Sequence, residues 1–150
     1  MEVSRSNPAV GVGLSFASLA LLFSVMLLGV YITSSGHGLS CPDWPLCPNG
    51  FGWPTEEYLF EHVHRMMVVI TGSFIYATAG YAAKRLNPAR KTAFLAAAIV
   101  SIQIALGMVV VESRLFPIIV AAHLATGITL FAMTLMTFLT AYRLATGRGV

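Results

Sequence analysis

Residues 61–72 read Glu61-His62-Val63-His64-Arg65-Met66-Met67-Val68-Val69-Ile70-Thr71-Gly72. Four of the first five side chains are ionisable, and the rest of the stretch is almost wholly apolar. The charges therefore belong to a hydrophobic segment and not to a loop. Lipid offers the backbone no hydrogen-bond partners, so a segment of this kind crosses a bilayer only as a helix or as part of a closed barrel. Titratable groups inside such a span are costly, and by default they mark a functional site.

Composition sets the class. Of 150 residues, 57% are hydrophobic and 10% charged, with a mean hydropathy of +0.78. Soluble domains carry about 25% charged residues. A chain this poor in charge cannot cover a surface facing water, so the expected class is an all-α integral membrane protein, residues 1–150 forming one domain. The net charge of +3 does not point to nucleic acid, because the basic residues lie between hydrophobic runs.

Four runs are long enough to cross a hydrocarbon layer at about 20 residues each. They are Val10–Thr33, Tyr58–Ala83, Thr92–Val111 and Pro117–Tyr142. The first is longer than the roughly 7–15 apolar residues of a cleaved signal and is expected to stay as a helix. Lys84, Arg85, Arg90 and Lys91 lie between the second and third runs; Arg5 precedes the first, and Arg143 and Arg148 follow the fourth. The segment Ser34–Glu57 holds no Lys or Arg, and the last connection holds only Arg114. By the bias of basic residues toward the cytoplasm, both termini and the middle connection are expected inside, with Ser34–Glu57 outside.

A faint repeat runs through the chain. Leu28-Gly29-Val30 resembles Leu106-Gly107-Met108, and His64 with Thr71-Gly72 loosely resembles His123 with Thr126-Gly127. The pattern suggests two helical hairpins forming a four-transmembrane-helix bundle. The connection Ser34–Glu57 contains four prolines, four glycines, two tryptophans and both cysteines. Proline stiffens it and glycine turns it, so a structured outer loop between helices one and two is expected.

Depth singles out two residues. His64 lies six residues into the second run and His123 six residues into the fourth, both counted from the outer end. At about 1.5 Å per residue both sit roughly 9 Å down. Two imidazoles at equal depth on different helices can share a haem iron, although glycine and threonine beside them also suit ordinary helix contacts. Glu61 and Arg65 share the His64 face and can pair; the pair either neutralises itself or serves proton handling and a haem propionate. His62 lies off that face and is expected to be a surface or supporting residue. His37, alone in the loop, is expected to be solvated, and Gln103 to hydrogen-bond within the bundle. Cys41 and Cys47 suit an extracytoplasmic disulfide, either a staple or a pair that exchanges with another thiol carrier.

Three stretches resemble a known family. Glu61-His62-Val63-His64-Arg65 resembles the E-x-x-H-R signature of haem A synthases. Gly38-Leu39-Ser40-Cys41-Pro42-Asp43-Trp44-Pro45-Leu46-Cys47-Pro48-Asn49-Gly50 resembles its first outer-loop motif, and Ala122-His123-Leu124-Ala125-Thr126-Gly127 the motif around the histidine of its fourth helix. The resemblance implies a membrane oxidoreductase that converts haem O to haem A for terminal oxidases, oxidising one porphyrin methyl to a formyl group. It implies His64 and His123 as haem-iron ligands, Arg65 as a cofactor-binding residue, Glu61 as the catalytic carboxylate and Cys41–Cys47 as the outer-loop disulfide. Haem b is the implied cofactor, with haem O as substrate and haem A as product.

The family form fuses two four-helix halves with a histidine pair in each, whereas this sequence has one such half. Activity then implies a homo-oligomer, at least a dimer, with an electron donor and haem O synthase or the terminal oxidase as further partners. The alternative is a non-catalytic b-type cytochrome or haem carrier, because two strong axial ligands leave no open site for oxygen. A quinone-linked disulfide oxidase needs a second cysteine pair in the last outer connection, and Ser113–Pro117 has none.

Overall fold

The structure is a computed structural model that describes residues 8–48 and 50–147; Arg5, Asn49 and Arg148 lie outside the described residues. Four helices carry the chain: α1 Pro8–Ser34, α2 Leu59–Arg85, α3 Arg90–Glu112 and α4 Pro117–Ala145. The described residues contain no strand. All four helices are long and apolar enough to cross a membrane, so the protein is an all-α, multi-pass membrane bundle. Proline opens α1 and α4, where its missing N–H would have no helical partner anyway. At the basic end, α2 runs on through Lys84 and Arg85, and α4 through Arg143, which places cations on the negative pole of the helix dipole.

The stops are as specific as the starts. Gly36 adopts φ 79° after α1, and the His37 N–H bonds the Ile32 carbonyl at 3.0 Å while the Gly36 N–H reaches that of Thr33. This left-handed stop needs glycine, since a Cβ is disfavoured there. The end of α3 makes a similar stop without glycine: Arg114 and Leu115 both have positive φ, 53° and 60°. A branched residue rarely takes that conformation. The Leu115 side chain lies against Gly38, 3.2 Å from where a Cβ would stand, so the short α3–α4 turn buttresses the long α1–α2 loop.

The helices form a ring in which α1 touches α2 and α4, and α3 touches α2 and α4. That leaves α2 and α4 on one diagonal and α1 and α3 on the other. Large apolar side chains such as Phe16, Phe23, Ile102 and Ile128 point outward, which suits lipid as the outer solvent. Small residues fill the inside. Ala82, Ala89 and Ala141 are fully buried, and Ser15 and Ser18 equally so, letting backbones approach closely as membrane helices require. Hydroxyls join neighbouring helices: Ser18 meets Thr78 at 3.0 Å between α1 and α2, and Thr137 donates to Thr92 at 3.0 Å between α4 and α3.

Burial brings the repeat into focus. With Gly29 aligned on Gly107, one constant shift sets Ser15 on Ala93, Ser18 on Ala96 and Leu22 on Val100, all buried. With His64 aligned on His123, another sets Thr71 on Leu130, Ile75 on Thr134, Thr78 on Thr137 and Ala82 on Ala141, again all buried. The two hairpins therefore present the same faces inward. The Thr71-Gly72 and Thr126-Gly127 similarity is out of this register by one helical turn, and Thr78 with Thr137 is the equivalent pair.

The bundle is tight at its basic end and loose at the end under the long loop. No residue of α2 between His62 and Thr71, of α3 beyond Val100, or of α4 before Gly127 is fully buried. Both histidines singled out in the sequence lie in that looser half.

Candidate functional site

The site lies at the loop end and is organised by Glu61 in the first turns of α2. Its carboxylate is buried, only 4% exposed. One oxygen, Oε2, accepts from the Cys41 backbone N–H at 2.9 Å and from the Ser40 hydroxyl at 3.0 Å. The other, Oε1, accepts from Arg65 Nη2 at 2.6 Å, one helical turn further on. Arg65 Nη1 donates to the Asp43 carbonyl. Burying a carboxylate is affordable only when it is paired and hydrogen-bonded, and here cation, hydroxyl and backbone amide all supply that pairing. Glu61 and Arg65 thus clamp the loop onto α2 at Ser40, Cys41 and Asp43.

The loop carries its own brace. Cys41 and Cys47 form a disulfide with Cα atoms 5.0 Å apart, and both cysteines are buried. Phe60 takes the edges of Tyr31 and His37, at 5.2 and 5.7 Å between ring centres. His37 is therefore half-buried against Phe60, with Nδ1 3.0 Å from the Ser35 hydroxyl, and is not the solvated loop histidine expected. Of the two roles expected for His62, surface or supporting, its burial excludes the first. It is 5% exposed, and its Nδ1 is buried without a hydrogen-bond partner.

His64 on α2 and His123 on α4 stand on diagonal helices. His64 is in electrostatic reach of His123, Glu61 and Arg65. Each imidazole packs on a glycine of the preceding helix in its own hairpin. A Cβ on Gly29 would stand 3.0 Å from His64 Cε1, and one on Gly107 would stand 3.5 Å from His123 Cε1. The glycines that make room for the histidines are thus Gly29 and Gly107, not Gly72 and Gly127. Gly127 instead faces the Gln103 amide at 3.2 Å, and Gly72 lies near Ile104.

Gln103 does hydrogen-bond within the bundle, to one residue. Its Nε2 lies 3.2 Å from His123 Nε2 and 3.1 Å from the His123 carbonyl. The Nδ1 atoms of His64 and His123 and the Oε1 atom of Gln103 are buried without hydrogen-bond partners. Buried polar atoms are seldom left unpaired, and three in one loosely packed zone mark a place suited to a group other than protein.

The arrangement fits a haem better than a bare ion. Among the described residues no cluster of three or more His, Cys, Asp or Glu side chains could hold a metal. A macrocycle brings four nitrogens of its own and asks the protein for one or two axial ligands. His64 and His123 are the imidazoles that would supply them, and the Arg65 cation lies within electrostatic reach of His64.

Sequence reasoning named Glu61, Arg65, His64, His123 and both cysteines, but missed Ser40, the Asp43 carbonyl and the partner glycines. The Leu-Gly repeat was the available signal for Gly29 and Gly107. Pairing each with a histidine required knowing which helices are neighbours.

Comparison with known proteins places the chain in a family. Residues 53–148 match the family model COX15-CtaA, described as cytochrome oxidase assembly protein. The haem A synthase of Shewanella oneidensis is 27% identical over 141 residues, covering 81% of this chain and 43% of that protein. The haem A synthase of Bacillus licheniformis is 33% identical over 132 residues, covering 84% and 43%. That of Geobacillus kaustophilus is 34% identical over 86 residues, covering 55% and 26%. The chain thus spans less than half the length of the curated relatives it matches. No solved structure matches it. The chain belongs to the COX15-CtaA family of cytochrome oxidase assembly proteins, the haem A synthase family.

Proposed function

We propose that this chain is a haem-modifying membrane oxidoreductase of the haem A synthase type, acting on haem O and yielding haem A. The observation that carries the reading is the equivalence of His64 and His123. They occupy the same place in two repeated hairpins, each backed by a glycine of the preceding helix. In this reading His64 and His123 would hold a haem iron, with haem b as resident cofactor or haem O as substrate. A bound haem supplies one-electron and oxygen chemistry; the protein supplies position and charge.

Arg65 neutralises a propionate and keeps its bond to Glu61, a division of labour suited to a guanidinium with five donors. Glu61 is a carboxylate within electrostatic reach of His64 and would receive protons released as the porphyrin methyl is oxidised to a formyl group. Its lone pairs are already engaged by Cys41, Ser40 and Arg65, so its availability depends on the loop that it clamps. The disulfide loop faces the extracytoplasmic side, following the distribution of Lys and Arg. With one histidine pair per chain, a homo-oligomer, at least a dimer, brings a second pair. An electron donor, haem O synthase and the terminal oxidase are the partners this chemistry calls for.

One observation favours a second reading. Saturation of Glu61 by loop and cation is also what a purely structural carboxylate shows, and suits a non-catalytic b-type cytochrome or haem carrier. Expression with a haem O source, followed by extraction and chromatography of the haems, separates the two. Haem A in the extract is expected; haem b alone, with haem O left unchanged, would overturn the enzyme reading.

A further inference from the structure

We propose that Gln103 is a placeholder for iron on His123: it holds the ligating nitrogen while no haem is bound and receives the imidazole whenever it leaves the metal. The inference rests on the bis-histidine reading above and adds to it an unequal pair of ligands.

The first argument is from donors and acceptors. A glutamine Nε2 carries only donors. It sits 3.1 Å from the His123 carbonyl, an acceptor, and that contact fixes which way round the amide lies. The same nitrogen is 3.2 Å from His123 Nε2, so that ring atom must offer a lone pair and the ring proton must be on Nδ1. Metal-bound histidines usually have their tautomer set from behind, by a carboxylate, carbonyl or water on the second nitrogen. His123 Nδ1 has no such partner. Its tautomer is set from the front, by Gln103, and it is the tautomer with Nε2 free to bind iron. Iron on Nε2 would lie along the lone pair that the amide now occupies, so Gln103 must swing off that nitrogen to admit it and competes with the metal for His123.

The second argument is the repeat. The position equivalent to Gln103 on α1 is Val25, which has no polar side chain. On that side the ring of His64 lies close against Gly29, 3.0 Å from a Cβ site, compared with 3.5 Å for His123 at Gly107. His64 is wedged in place, whereas His123 is held by an exchangeable hydrogen bond. His123 would therefore be the ligand to leave a bound haem, freeing a coordination position that two firm ligands would deny.

The test uses the full chain loaded with haem b and reduced. Carbon monoxide binds a bis-histidine haem only after one imidazole has left, so its binding rate reports how well the released ring is held away. Gln103→Met keeps length and apolar packing but removes the donor. It should slow carbon monoxide binding about fivefold, the worth of one net hydrogen bond. In a His123→Ala background binding should be fast, with no further effect of Gln103→Met. In the haem-free protein, ring nitrogen NMR should show His123 protonated on Nδ1, and a mixture of tautomers in Gln103→Met. Gln103→Asn, with a shorter amide, should fall between and serves if the methionine variant does not accumulate. Unchanged kinetics and an unchanged tautomer in Gln103→Met, with the low-spin spectrum lost in His123→Ala, would overturn the placeholder alone. A low-spin spectrum that survives His123→Ala would overturn the bis-histidine reading and the placeholder with it.

Discussion

The basic half of the bundle and the half under the loop are built on the same repeat but keep it to different degrees. In the basic half the two hairpins match position for position: Ser18 with Ala96, Ile75 with Thr134, Thr78 with Thr137, Ala82 with Ala141, all buried. Under the loop the repeat retains its histidines and the Leu-Gly pairs, Leu28-Gly29 and Leu106-Gly107, but loses the rest of its polar pattern. Glu61 has Val120 as its counterpart, Gln103 has Val25, and a structured loop of more than twenty residues faces a turn of four (113–116). Matched small residues make a close-packed clamp, and the unmatched polar groups gather where the packing loosens. In a helical bundle that contrast separates a scaffold from a site.

The sharpest break in this contrast comes from the histidines. His64→Ala and His123→Ala should each abolish the low-spin haem spectrum while leaving the helical circular dichroism intact, since the clamp lies elsewhere. Next comes Glu61→Gln, which should keep bound haem and stop haem A formation, read by extraction and chromatography. Unchanged haem A output would return Glu61 to a purely structural role. In the basic half, Ala82→Leu and Ala141→Leu should each cost about 1–3 kcal/mol by overpacking, and by similar amounts because the sites are equivalent. Thermal unfolding in detergent checks this, and a haem spectrum that shifts before stability falls would blur the division between halves. The smallest effects belong to the hydroxyl pairs. Ser18→Ala and Thr137→Val should each cost about 0.6 kcal/mol, the average for an interhelical hydrogen bond in a membrane.

Much of this was legible in the chain, for physical reasons. Four apolar runs and a shortage of charge leave a helical membrane bundle as the natural outcome, and the motifs around Glu61, Cys41 and His123 carried the family. Residues one turn apart on a helix, such as Glu61 and Arg65, can be paired by counting, and they do pair. What counting could not supply was the identity of neighbours across the bundle. Gly29 against His64 and Gln103 against His123 depend on which helices lie side by side. The Cys41 amide on Glu61 depends on how a proline-rich loop folds back onto α2.

The central claim is that the looser half holds a haem between His64 and His123. Near-infrared magnetic circular dichroism of the ferric, haem-loaded protein tests it most directly, because the charge-transfer band reports the chemical identity of both axial ligands. A bis-imidazole band in the wild type, lost in His64→Ala and in His123→Ala, is the predicted result. A band from any other ligand pair, or a bis-imidazole band that survives either substitution, would contradict it.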